Sequence, residues 1–198
     1  MNRTILLVED EENDIFFMKR AAKKNGILNP LQVAHDGQEA IDYLGGIGAY
    51  ADRERFPLPG LVLLDLKLPR VMGLEVLKWI RQQAQLYGIV VIVLTSSNLG
   101  PDIDMAYRLG ANSYLVKPTP DKLSEMISAI KQYWLDLNEF ATECLEFARQ
   151  AAKKTANIQI LNGVNTPLRP GDYPAYSASD SVNPSSQIPA RRDSASPN

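Results

Sequence analysis

Residues 61–69 read LVLLDLKLP: an apolar run of strand length, Leu61 to Leu64, passes without a turn residue into Asp65. A short continuous apolar run is the pattern of a strand covered on both faces, as in a parallel sheet. A bare carboxylate at the end of such a strand is costly to desolvate unless a cation or hydrogen-bond donors compensate it. The fold must therefore bring compensating groups to Asp65.

Four further runs share the character of the first: TILLVED (4–10), LQVAHD (31–36), IVVIVLTS (89–96) and SYLVKP (113–118). Between them lie segments with helical spacing, such as Phe16, Phe17 and Ala21 in the first and Leu74, Leu77 and Ile80 in the third. Strand–helix alternation implies βαβ units with right-handed crossovers. The predicted class is α/β: a five-stranded parallel sheet in the flavodoxin-like order 2-1-3-4-5, with helices on both faces. Residues 45–60, GGIGAYADRERFPLPG, form a longer connection than an αβ loop needs. Their glycines follow a helix and open none, so they are not a dinucleotide fingerprint.

Composition narrows the function classes. With 198 residues, 45% of them hydrophobic, the chain can bury a sizeable core. A net charge of -2, from 23 acidic and 21 basic residues, offers no basic excess for nucleic acid. The single cysteine, Cys144, leaves no disulfide framework and no thiolate zinc site, which suits a reducing cytoplasm. No run reaches the length of a membrane span, and the acidic N-terminus is unlike a signal peptide. Three regions are expected: a domain over 1–136, a helical extension over 137–156, and a Ser/Pro/Asn-rich disordered tail over 157–198. Leu123, Met126, Ile130, Tyr133, Leu137, Phe140, Cys144, Phe147 and Ala151 recur at spacings of three and four, which predicts one helix to Lys154. Such a helix would be roughly 50 Å long and would outrun its own sheet. A homodimer in which Phe140 and Phe147 meet their two-fold mates is the expected use of the excess.

In open α/β sheets the ligand lies at the carboxyl ends of the strands. Glu9 and Asp10 stand there after the first run, Asp65 after the third, Thr95 and Ser96 at the end of the fourth, and Lys117 after the fifth. The strand order brings three carboxylates into one crevice, where they repel unless a hard divalent cation takes them as ligands. Mg2+ suits one or two carboxylates, waters and phosphate oxygens. A carboxylate nucleophile, a cation, an ammonium and a hydroxyl together are the parts of phosphoryl transfer.

These motifs, LLVEDEEND, LLDLKLPRVMG, VLTSS and ANSYLVKP, resemble over about residues 3–136 the receiver domains of two-component response regulators. The insertion before the third strand and the Tyr133-Trp134-Leu135 ending resemble the stand-alone, phytochrome-associated group. The resemblance implies that Asp65 is the phosphoacceptor, and that Asp10, Asp65 and the backbone carbonyl of Lys67 bind Mg2+ with Glu9 assisting through water. It also implies that Thr95 and Lys117 contact the phosphoryl group, that Tyr114 moves with Thr95 as a switch, and that the Lys117–Pro118 bond is cis. The implied partner is a sensor histidine kinase, with a phytochrome as the candidate that the group suggests; with no output domain legible after residue 136, signalling would pass through protein contacts. The acidic pair here is Glu9-Asp10 rather than two aspartates.

Other classes fit less well. A haloacid-dehalogenase-type phosphatase needs a second acid two residues after the nucleophile, where this chain has Lys67. A flavodoxin needs a Ser/Thr-rich phosphate loop, where this chain has the acidic EDEEND. His35, the single histidine, excludes a histidine phosphodonor dyad or a multi-histidine metal site and reads as structural. The remaining alternative is a receiver-like interaction module that is never phosphorylated.

Overall fold

The computed structural model describes residues 3–140. Five parallel strands, β1 (Ile5–Val8), β2 (Leu31–Ala34), β3 (Leu61–Leu64), β4 (Val90–Thr95) and β5 (Ser113–Val116), lie in the order β2-β1-β3-β4-β5. They alternate with α1 (Glu12–Lys24), α2 (Gly37–Gly45), α3 (Gly73–Gln82), α4 (Gly100–Arg108) and α5 (Leu123–Ile130). Side chains on successive strand residues point to opposite faces, and this period of two divides the core. Leu6, Val8, Val62, Leu64, Val91 and Val93 meet α2 and α3 through residues such as Ala40, Leu44, Val76, Leu77 and Ile80. Ile5, Leu7, Leu61, Leu63, Ile92 and Leu94 meet Ile15, Met18 and Ala21 of α1 and Ile127 and Ile130 of α5.

The connection over 46–60 is a small aromatic annex to the first of these layers. Gly46 takes a left-handed conformation (φ 68°) and ends α2. The rings of Tyr43, Tyr50 and Phe56 pack edge-on or tilted against one another. The Arg53 guanidinium donates to the carbonyls of Tyr43 and Leu44, both at 2.7 Å, so a cation satisfies carbonyls at the end of α2.

Four local expectations are corrected. The edge strands β2 and β5 are only partly covered, because each has a neighbour on one side alone. On α1 the inward face is Ile15, Met18 and Ala21, whereas Phe16 and Phe17 are 60% and 37% exposed; two adjacent aromatics cannot share one helix face with Ala21. The last helix does not continue unbroken to Lys154: α5 passes into a π-helical segment, Lys131–Leu137, and Asn138 is extended (φ -75°, ψ 133°). The wider π winding changes which side chains face inward, so Tyr133 and Leu137 are exposed while Trp134, Leu135 and Phe140 pack on the molecule's own core. Phe140 is also covered by the Arg3 guanidinium, 4.7 Å from its ring centroid, and so is engaged within its own chain. Finally, no peptide bond among the described residues is cis, the Lys117–Pro118 bond included. The isomers of an X-Pro bond differ by only about 0.5–1 kcal/mol, so a cis bond must be imposed by its surroundings. The remaining seam positions, Cys144, Phe147 and Ala151, most of the 137–156 extension and the whole 157–198 tail lie outside the described residues.

Candidate functional site

The strand ends assemble one polar cluster above the two wholly apolar central strands, β1 and β3. β1 and β3 pair in register through Val8 and Leu64, and the ladder continues one step as Asp65 N–H donates to the Val8 carbonyl at 3.1 Å. Glu9 and Asp65 are thereby set side by side at the top of the two central strands. Across the sheet, Lys117 N–H donates to the Thr95 carbonyl at 2.8 Å, which anchors the lysine at the end of β5.

The Lys117 ammonium closes the cluster. It donates to Glu9 Oε2 at 2.5 Å, to Asp65 Oδ2 at 2.6 Å and to Asp14 Oδ2 at 2.8 Å. Glu9 and Asp65 are buried, with 1% and 6% of their surfaces exposed. The second oxygen of each is held by a backbone N–H: Glu11 donates to Glu9 Oε1 at 3.3 Å and Lys67 to Asp65 Oδ1 at 3.1 Å. Burial disfavours the charged form of Lys117, but its hydrogen bonds to Asp14, Asp65 and Glu9 outweigh it and hold its pKa above the usual lysine range. Glu9 is shifted upward as well. Its desolvation exceeds what a share of one ammonium returns, and the Asp65 charge adds to the shift.

Thr95 is fully buried at the end of β4, and its Oγ1 accepts a long hydrogen bond from Ser97 N–H at 3.4 Å. Tyr114, on β5, donates its phenol proton to the Ser97 carbonyl at 3.0 Å. Ser97 therefore joins the two predicted switch residues, and its own hydroxyl donates to Asp102 of α4 at 2.5 Å. Ser96 is exposed, as is the Lys67 side chain; Asp10 is half-buried beside Glu9.

The loop after β3 is tied down on both sides. Gly73 N–H donates to the Leu66 carbonyl at 3.0 Å. Arg70, in a left-handed conformation (φ 64°), donates to Asp36 Oδ1 at 2.6 Å. Asp36 also accepts from Glu39 N–H and so caps α2. His35 stands at the end of β2, about half exposed, with Nδ1 3.5 Å from Glu12 Oε1 and its backbone N–H donating to Glu39 Oε2 at 2.6 Å.

The donor set suits a hard cation, since Asp10 and Asp65 offer carboxylate oxygens at adjoining strand ends and Mg2+ completes its shell with waters. The expected convergence of Glu9, Asp10 and Asp65 is corrected in both membership and centre, however. Glu9, Asp14 and Asp65 close on the ammonium of Lys117, and among the described residues no three acidic, histidine or cysteine side chains are grouped to hold an ion by themselves. Asp14, Ser97, Asp102 and Arg70 escaped the sequence reading. Its position places Asp14 in the first turn of α1, but only the roll of that helix on the sheet turns it toward Lys117.

The family model for the response regulator receiver domain matches residues 5–130. The "Probable methanogenesis regulatory protein FilR2" of Methanothrix harundinacea is 40% identical over 139 residues, covering 68% of this chain and 84% of that protein. Response regulator Rcp1 of Synechocystis sp. is 38% identical over 135 residues, 68% of this chain and 90% of Rcp1. The crystal structure of its Mn2+-bound form superposes with a TM-score of 0.65 at 36% identity, covering 71% of this chain and 99% of that one. The phosphorylated cyanobacterial phytochrome response regulator RcpA superposes with a TM-score of 0.68 at 33% identity, covering 72% of this chain and all of RcpA.

Proposed function

Since the chain belongs to the family of response regulator receiver domains, with phytochrome response regulators among its relatives, we propose that it accepts a phosphoryl group on Asp65 from a sensor histidine kinase. The observation that carries this reading is the buried Asp65 carboxylate held 2.6 Å from the Lys117 ammonium at the carboxyl end of the central strands. A carboxylate oxygen of Asp65 attacks phosphorus, the bond from phosphorus to the kinase histidine breaks, and the imidazole leaves with the electron pair. No base is needed, because the nucleophile is an anion. Lys117 and the Thr95 hydroxyl stabilise charge on the transferring oxygens.

Receiver domains as a class bind Mg2+ and act as signalling modules rather than as enzymes. Here Asp10, Asp65 and the Lys67 backbone carbonyl would hold the ion, with Glu9 acting through water. Bound there, Mg2+ neutralises charge between the carboxylates and the phosphoryl group. Beyond that class behaviour, the chain would catalyse its own phosphotransfer and slow dephosphorylation. The protein would work in the cytoplasm, where a phytochrome-type kinase is the donor its relatives suggest. Among the described residues no helix is long and apolar enough to cross a membrane.

A second copy of the chain is the proposed partner for output. Met105 and Tyr107 of α4, Val116 of β5 and Tyr133 and Leu137 after α5 are exposed apolar groups that support it. Phe140 is not counted with them, because it packs inward. Light scattering of the full chain and of Tyr107→Ser/Tyr133→Ser tests this; a wild type that stays monomeric with and without phosphorylation refutes it.

The phosphoacceptor reading is tested by incubating the full chain with acetyl phosphate and Mg2+ and measuring intact mass. Wild type should gain one hydroxylamine-labile phosphoryl group, and Asp65→Asn none. Equal uptake by Asp65→Asn would overturn the assignment.

A further inference from the structure

At the end of the sheet away from Asp65, the last turns of α1 and the start of β2 enclose an open cleft of about 340 Å3. Its floor is apolar, made by Ala22, Ile27 and Leu31. Lys19 and Lys23, four residues apart and so on one face of α1, stand over it, and both are exposed. Lys23 lies in the last turn, where a cation complements the helix dipole; Lys19 lies a turn earlier and has no such use. Among the described residues neither is paired with a carboxylate. β2 is an edge strand, and sheet edges are commonly blunted by a covering helix or loop. The cleft thus sets two cations over an apolar floor where the edge of the sheet is open.

The chain itself supplies a match. Phe140, the last described residue, has its ring centroid 4.7 Å from the Arg3 guanidinium. The Arg3 backbone carbonyl accepts from Asn29 Nδ2, on the wall of the cleft, at 2.8 Å. Arg3 alone therefore stands between Phe140 and the cleft. An extended chain advances roughly 3.3–3.6 Å per residue, so the residues just past Phe140 are within reach of it. They read TECLEF over 142–147: Cys144, Leu145 and Phe147 suit the floor, and Glu143 and Glu146 suit the lysines. The next charged groups, Arg149, Lys153 and Lys154, are basic and do not.

We propose that the cleft is the docking site of residues 142–147 of the same chain, with their apolar groups on Ile27 and Leu31 and their carboxylates beside Lys19 and Lys23. Burial of apolar surface supplies the affinity, and the charges fix the orientation. Docked there, the segment ties the chain beyond Phe140 to α1 and covers the start of β2.

Cys144, the single cysteine, allows a direct test in the full chain. A nitroxide is attached to it, and the amide signals of the isotopically labelled protein are compared before and after the nitroxide is reduced. Wild type should lose intensity over residues 22–29 while the nitroxide is active. Because this label sits within the docking segment, a second sample carries it on Ala148→Cys in a Cys144→Ser background, where the same loss is expected. Tethering alone would bring a label near Arg3, so variants of the second sample decide. Leu145→Ser/Phe147→Ser and Lys19→Glu/Lys23→Glu should each abolish the loss, and adding Glu143→Lys/Glu146→Lys to the lysine variant should restore it. No loss over 22–29, a loss that both variants retain, or a charge reversal that restores nothing overturns the proposal. A loss that appears only when nitroxide-bearing chains are mixed with isotopically labelled chains lacking the nitroxide shows a second copy supplying the segment, and overturns it as well.

Discussion

Tyr114, on the edge strand β5, reaches back to the loop after β4 and donates its hydroxyl proton to the backbone carbonyl of Ser97, two residues beyond Thr95, at 3.0 Å. The aromatic ring is thus fastened to the segment that leaves the site. Tyr114→Phe keeps the ring and deletes the bond, and should cost about 1 kcal/mol in denaturant unfolding. Amide exchange over residues 96–99 should speed up relative to the rest of the sheet; unchanged exchange there would mean the bond does not restrain the loop.

Lys117→Met should destabilise the fold by about 2 kcal/mol, because it strands the buried Glu9 and Asp65 carboxylates together. The full cost of an uncompensated buried charge is not expected, since water reaches the Asp14 side of the cluster. Adding Glu9→Gln to Lys117→Met should recover most of the loss in a double-mutant cycle. Additive penalties would show that the two groups are not coupled.

Gly73 starts α3 against the backbone of Asp65. A methyl group there would lie 2.0 Å from the Asp65 carbonyl oxygen and 2.7 Å from Leu66 Cα, and neither is a flexible side-chain end. Gly73→Ala should cost about 1–3 kcal/mol and slow phosphorylation, because relief requires moving the end of β3. Gly100→Ala, with open space around the new methyl, should be close to neutral in both measurements.

Asp36 is pulled upward by burial, but bonds from Arg70 and from the Glu39 backbone outweigh this and hold it below the ordinary carboxylate range. A depressed carboxyl contributes stability above its unfolded pKa and loses it as pH falls through the folded one. Asp36→Ala should therefore cost about 1 kcal/mol at neutral pH as a lost cap. The gap to wild type should narrow as acid titrates the wild-type carboxyl, and unfolding curves at neutral pH and below the ordinary aspartate range would show it.

Asp10→Ala should weaken Mg2+ binding by at least about tenfold in calorimetry, because it removes a charged ligand. Thermal stability without the ion should change little, since Asp10 is only half-buried. Equal affinity in the variant would move the metal site away from Asp10.

Five strands and the polar groups at their ends could be read from the sequence because each is a local property, and the alternation of strands with helices implied the parallel pairing. A strand such as LVLL declares its burial by continuous apolarity, and the charge that follows it marks where the sheet stops. Glu9, Asp65, Thr95 and Lys117 were legible as one site because strand order alone brings strand ends together. What the tertiary structure decided depends on how elements rotate and meet. The roll of α1 turned Phe16 and Phe17 outward and Asp14 toward a lysine 103 positions away. Helical spacing admits several rolls, and only packing against the sheet selects one. The π-helical winding after Ile130 likewise broke a seam that a constant α-helical period would have carried onward. Glu9 and Asp65 were foreseen in one crevice, but Asp14 as the third carboxylate and the ammonium as its centre were not: a long side chain takes up the position where its hydrogen bonds are satisfied, and those acceptors are assembled only when β1, α1, β3 and β5 come together.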